Sequence, residues 1–183
     1  FAGFDFPFGY PQGFCRSITG SDDPLALWAW LEGRIEDAPD ANNRFDVAAE
    51  INRTRGGTGP FWANALKRDI QGLPRNLKNY ANPFPDKRRA ETEATGAFTC
   101  WQLAGAGAVG SQVLMGLPVL ERLRRKFDAA VWPFRALDAD IAFVEIWPSL
   151  TLGAAPEGMI KDAWQVRETA RTFSLVPSGR LAA

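Results

Sequence analysis

The sequence predicts an α/β domain, and three observations carry the prediction. Two apolar runs, Phe1–Phe6 and Ile141–Trp147, each hold a single acid and are each closed by a proline, a pattern that reads as short sheet strands. Stretches with apolar residues at three- and four-residue spacing follow Ser21–Pro24 and Met159, which reads as helix. The length of 183 residues with 46% hydrophobic side chains is enough for one domain with a substantial core.

The opening strand carries Asp5 at its end, and the later strand carries Glu145 in the matching place. If the strands lie side by side, the two acids converge. A lone buried carboxylate costs several kcal/mol or becomes neutral, so two of them call for a metal ion or a buried partner. The chain contains no histidine. That removes Ser-His-Asp and Cys-His nucleophile pairs, histidine-ligated zinc and histidine general-base chemistry. The remaining ligands are hard oxygens, which suit Mg²⁺ or Mn²⁺.

Taken in order, Tyr10–Gly13 is turn chemistry. Ser21-Asp22-Asp23-Pro24 then caps a helix whose Leu25, Leu27, Trp28, Leu31 and Ile35 are expected to pack on the sheet. Asp40–Asn43 caps a second helix running through Phe45, Val47 and Ile51. From residue 53 to residue 96 periodicity fades into a basic, loop-rich insertion or lid, with one short helix expected near Trp62–Ile70. Nine basic residues between Arg53 and Arg89 face only two acids, Asp69 and Asp86, although the whole chain is formally neutral. Such a segment can follow a phosphate backbone or can simply be a solvated loop.

Ala97–Leu103 reads as a strand or a helix start, followed by Gly105-Ala106-Gly107-Ala108-Val109-Gly110. These glycines spell the dinucleotide-binding pattern, which also needs a preceding strand and an acid about 20 residues beyond. Here a basic helix, Val113–Lys126, follows, and Asp128 stands in the turn after it. The competing reading is that small residues let this helix begin close against the sheet. Val131–Phe134 is an edge strand, since Pro133 removes a ladder donor. The closing helix, Met159–Phe173, is expected to turn Ile160, Ala163, Trp164, Val166, Ala170 and Phe173 inward. Asp162 opens that helix, where the helix dipole favours an acid in any case.

Cys15 and Cys100 have no framework or zinc spacing and read as free thiols of a reducing compartment, the cytoplasm. No run approaches the roughly 18 apolar residues of a membrane span.

The segments FDFPFG, VEIWPSL and KDAWQVR, with NNRFDVAAEIN and WQLAGAGAVGSQVLMGLPVL, resemble a family of uncharacterised bacterial proteins predicted to be ribonuclease H-like nucleases. The resemblance implies a three-layer fold with a mixed central sheet flanked by helices. It also implies a two-metal site in which Asp5, Glu145 and Asp162 are the catalytic, metal-holding acids. Relatives begin with a further strand bearing an aspartate, so an N-terminal strand is expected to be missing from this chain, whose activity would then be incomplete. The reading that follows is a single domain, 1–183, acting as a Mg²⁺- or Mn²⁺-dependent nuclease or phosphodiesterase that holds nucleic acid through Arg53–Arg89. The alternatives are a nucleotide-binding protein using Gly105–Gly110 and a non-catalytic interaction protein.

Overall fold

In a computed structural model, which describes residues 1–55, 57–94 and 96–176, the chain is mixed α/β and divides into two compact units. Among the described residues one comprises 1–5 with 130–176, and the other 6–129. In chain order the elements are β1 (Ala2–Phe4), α1 (Phe14–Thr19), α2 (Pro24–Glu32), β2 (Asp37–Ala38), β3 (Ala41–Asn42), α3 (Arg44–Thr54), α4 (Arg89–Glu93), α5 (Gly110–Phe127), β4 (Ala130–Trp132), β5 (Ala142–Glu145) and α6 (Lys161–Ser174).

The first unit is built on a three-stranded sheet ordered β1-β5-β4. Both pairings are parallel, with Phe4 opposite Glu145 and Trp132 opposite Val144. The two acid-bearing strands are therefore neighbours, as their sequences suggest. A mixed sheet was expected, whereas antiparallel pairing among the described strands is confined to the two-residue hairpin β2–β3 of the other unit. β1 is also not buried: Gly3 is exposed, and β5 is the central strand. Gly3 suits its place because a Cβ there would stand 2.9 Å from Ile146 Cδ1 on the adjacent strand.

The second unit is helical around an aromatic core. Asp23 caps α2 by accepting the Leu25 N–H at 3.0 Å, and Pro24 opens the helix, as the cap chemistry predicts. α2 packs against α1 and α5 within its own unit, where α5 presents a stripe of Val113, Leu114, Leu117 and Leu120 to receive Leu27, Trp28 and Leu31. An ion pair between Glu32 and Arg125, 2.6 Å, spans the same two helices. Asn43 does not cap α3 through its side chain. It accepts the Glu36 N–H and donates to the Arg34 carbonyl, which ties the β2–β3 hairpin to the start of the helix.

The basic segment has no helix at Trp62–Ile70. Beyond α3, its regular pieces among the described residues are a 3-10 turn at Leu77–Asn79 and α4, and the chain around Trp62 is instead held by buried anchors. Phe61 is fully buried among Phe14 and Trp101, with ring centroids 5.9 and 5.3 Å away. Asn52, also fully buried, donates to the carbonyls of Phe61 and Gly72 at 2.7 Å each and accepts the Phe61 N–H at 2.9 Å. One side chain thus replaces the backbone pairing that an irregular buried loop lacks.

The glycine run likewise departs from the dinucleotide pattern. Residues 97–103 form no strand, contributing only an isolated bridge between Trp62 and Gln102. Gly110 begins α5 where a Cβ would lie 2.5 Å from the Cys100 carbonyl oxygen and 2.6 Å from that of Gln102. Smallness is needed there, but for contact with a loop of the helical unit instead of the sheet. Cys15 and Cys100 are both free, and no described helix is long and apolar enough to cross a membrane.

Candidate metal centre

Parallel pairing places the carboxyl ends of β1, β5 and β4 on one side of the sheet, the side where ligands of open parallel sheets collect. Glu145 is the last residue of β5, and Asp5 follows the last residue of β1. The final rung between them is the Ile146 N–H donating to the Phe4 carbonyl at 3.0 Å. Asp162 enters from a third element, the first turn of α6, next to Lys161.

These residues share one electrostatic neighbourhood. The Asp5 carboxyl is held above the ordinary aspartate value, chiefly by its partial burial, next by the charge of Asp162 and to a smaller degree by Glu145. Lys161 opposes the shift. Asp5 as a whole residue remains exposed.

Asp162 raises Asp5 more than Glu145 does. The pleat supplies the reason. Glu145 lies opposite Phe4 and shares its face with Phe143, whose ring meets Phe4 edge-on at 5.4 Å between centroids. Asp5 comes one residue later, out of step with that face. The three acids are brought to one edge of the unit, with Asp5 and Asp162 as the closer partners.

Neighbouring carboxylates, one of them with a raised pKa, are a donor set a hard divalent cation would neutralise. The acids fit such an ion by type and by neighbourhood, although among the described residues no group of three or more His, Cys, Asp or Glu is gathered tightly enough to hold one as the side chains stand. Two features of this edge were missed in the sequence. Lys161 was overlooked because a lysine beside a helix-opening acid is unremarkable alone. Residues 132–138, at and after the end of β4, line an open concavity of about 480 Å³, a shape with no sequence signal.

The basic segment lies in the other unit, and much of its charge is engaged. Arg68 pairs with Asp46 at 2.6 Å, Arg75 with Asp69 at 2.9 Å and Arg88 with Glu91 at 2.9 Å. Arg53 donates to the Gln71 carbonyl, and Arg89 lies 3.7 Å from Glu93. Lys67 and Lys78 are exposed. Compared with known proteins, the chain has no matching family model and no significant match among curated proteins or solved structures.

Proposed function

We propose that the protein is a metal-dependent phosphodiesterase acting on nucleic acid, of the ribonuclease H-like class, with Asp5, Glu145 and Asp162 as its acidic centre. The observation that carries this reading is the raised Asp5 carboxyl at the carboxyl edge of a parallel sheet, shifted first by its partial burial and then by the charges of Asp162 and Glu145 from two other elements. Repulsion of that kind destabilises the metal-free chain, and a bound cation would relieve it. Mg²⁺ or Mn²⁺ held there would supply Lewis-acid stabilisation of charge developing at phosphorus.

The chain's own groups have separate tasks in this reading. Asp5 and Asp162 supply negative charge from two different elements, and Glu145 adds a third oxygen donor from the central strand. Lys161, with the N-terminal end of α6, favours a phosphate oxygen nearby through positive charge and helix polarity. Lys67 and Lys78 are the members of the basic segment suited to contact a phosphate backbone, since five of its arginines already serve ion pairs or carbonyls.

The test is metal-linked stability followed by cleavage. Thermal melts of the parent with and without Mn²⁺ should show a rise in Tm that Asp5→Asn, Glu145→Gln and Asp162→Asn each reduce or abolish. The parent with Mn²⁺ should also cut a labelled oligonucleotide that the variants leave intact. A parent Tm indifferent to Mn²⁺ and Mg²⁺ would remove the metal centre.

A further inference from the structure

Trp132 is used differently from the buried tryptophans. Trp28 and Trp101 are fully buried, donate their indole N–H groups to the carbonyls of Phe8 and Pro85, and sit in ring clusters. Trp132 ends β4 with 49% of its surface exposed, and among the described residues no ring pairs with it. It lines the concavity of about 480 Å³ formed by residues 132–138, a volume in the range of small-ligand sites. The turn behind it is closed by the Arg135 N–H donating to the Val131 carbonyl at 2.9 Å. Register fixes where this surface lies. Trp132 is opposite Val144, which is opposite Gly3, so the three share one face of the sheet, and Asp5 follows two residues after Gly3. Two strand spacings, about 10 Å, separate β4 from β1. The concavity therefore adjoins the acid-bearing ends of β5 and β1 within the same unit.

We infer that this concavity is a nucleobase subsite, in which Trp132 stacks on an unpaired base of a single-stranded nucleic acid whose neighbouring phosphate reaches the acids. The inference rests on the phosphodiesterase reading and narrows its substrate to strands with unpaired bases. A base inside a duplex is already stacked on both faces and cannot take a tryptophan ring without being unstacked. Charge selects a nucleotide over other flat ligands. The lining carries one cation, Arg135, and one anion, Asp138. Arg135 favours a phosphate, and Asp138 accepts from an exocyclic amino group of a base. A purely apolar ligand would use neither charge, and free phosphate would gain Arg135 but be repelled by Asp138. A nucleotide joins the anion and the neutral donor on one flat ring, so it satisfies both.

Fluorescence anisotropy of a labelled single-stranded oligonucleotide, at fixed low salt and without divalent metal so that nothing is cut, should show tighter binding than a duplex or an abasic strand of the same length and charge. Trp132→Leu should weaken the single strand about tenfold or more and leave the abasic strand unchanged. Trp132→Phe, which keeps a flat ring, should lose much less. Lost packing alone would weaken both variants, and both strands, alike. Equal binding of normal and abasic strands by the parent, or a Trp132→Leu chain that still prefers bases, would overturn the subsite. Its outcome separates from that of the metal centre. A parent stabilised by Mn²⁺ that ignores bases loses the subsite alone, whereas base-dependent binding through Trp132 in a chain indifferent to Mn²⁺ keeps the subsite and removes the metal centre.

Discussion

The two units spend their apolar residues differently. The helical unit encloses Phe8, Phe14, Trp28, Phe61 and Trp101, each with 0% exposure, and stacks Tyr10 on Trp101 at 5.2 Å between centroids. The sheet unit encloses small or single residues, Ala130, Val131, Ala142 and Phe143, and leaves Trp132, Ile160, Val166 and Phe173 outside. Its acids gather at one edge, and its closing helix turns an apolar face to solvent. Because burial scales with the apolar area removed from water, the first unit has the means to stabilise a fold and the second has less of it. A site of mutually repelling carboxylates costs stability, so it belongs where packing is thin only if stability is supplied elsewhere.

This contrast can be broken by measurement. The largest expected effect is Phe14→Ala, which removes a fully buried ring touching Phe61, Phe84 and Trp101 and should cost about 3–5 kcal/mol in denaturant melts. A cost below about 1 kcal/mol would mean that the aromatic cluster does not carry the unit. The next effect compares two glycines. Gly110→Ala drives a Cβ into two backbone carbonyls and should cost about 3 kcal/mol, whereas Gly3→Ala meets only the side chain of Ile146, which can shift, and should cost less than about 1 kcal/mol. Equal costs would show the sheet unit to be as tightly fitted as the helical one.

The smallest effect is the most informative about the site. Asp5 has a raised pKa in the fold, so its contribution favours the fold at pH values below its unfolded value of about 3.9 and is lost as pH rises through the folded value. At neutral pH its charge is therefore unfavourable. Asp5→Asn should leave metal-free stability unchanged or slightly higher at pH 7, and the advantage should disappear as pH falls toward about 4. A clear loss of stability at pH 7 without metal would mean instead that Asp5 is a structural acceptor.

What was legible in the sequence was local. The Asp23–Pro24 cap, the Pro133 stop of an edge strand, the span of α5 and the two acid-bearing strands all follow from side chains acting on their own backbone within a few residues. Readings that depended on distant partners failed. Trp62–Ile70 has helix-compatible residues, yet Asn52 and the aromatic core fix that region as loop. Gly105–Gly110 spells a nucleotide turn, but a turn of that kind needs a strand before it, and residues 97–103 pair by a single bridge.

The candidate site divides along the same line. The sequence by itself determined that Asp5, Glu145 and Asp162 stand at element ends, because each borders a proline, a turn or a helix start, and that any chemistry must do without histidine. Only the tertiary structure decided that β1 and β5 pair in parallel with Phe4 opposite Glu145, that Asp162 lies closer in effect to Asp5 than Glu145 does, and that α6 packs with its polar side inward. Periodicity marks which side of a helix is apolar, but that side turns inward only where the rest of the chain offers apolar surface to receive it. Here the surface facing α6 offers the Ser149 hydroxyl to Gln165, so Gln165 is drawn in while Val166 and Phe173 stay exposed.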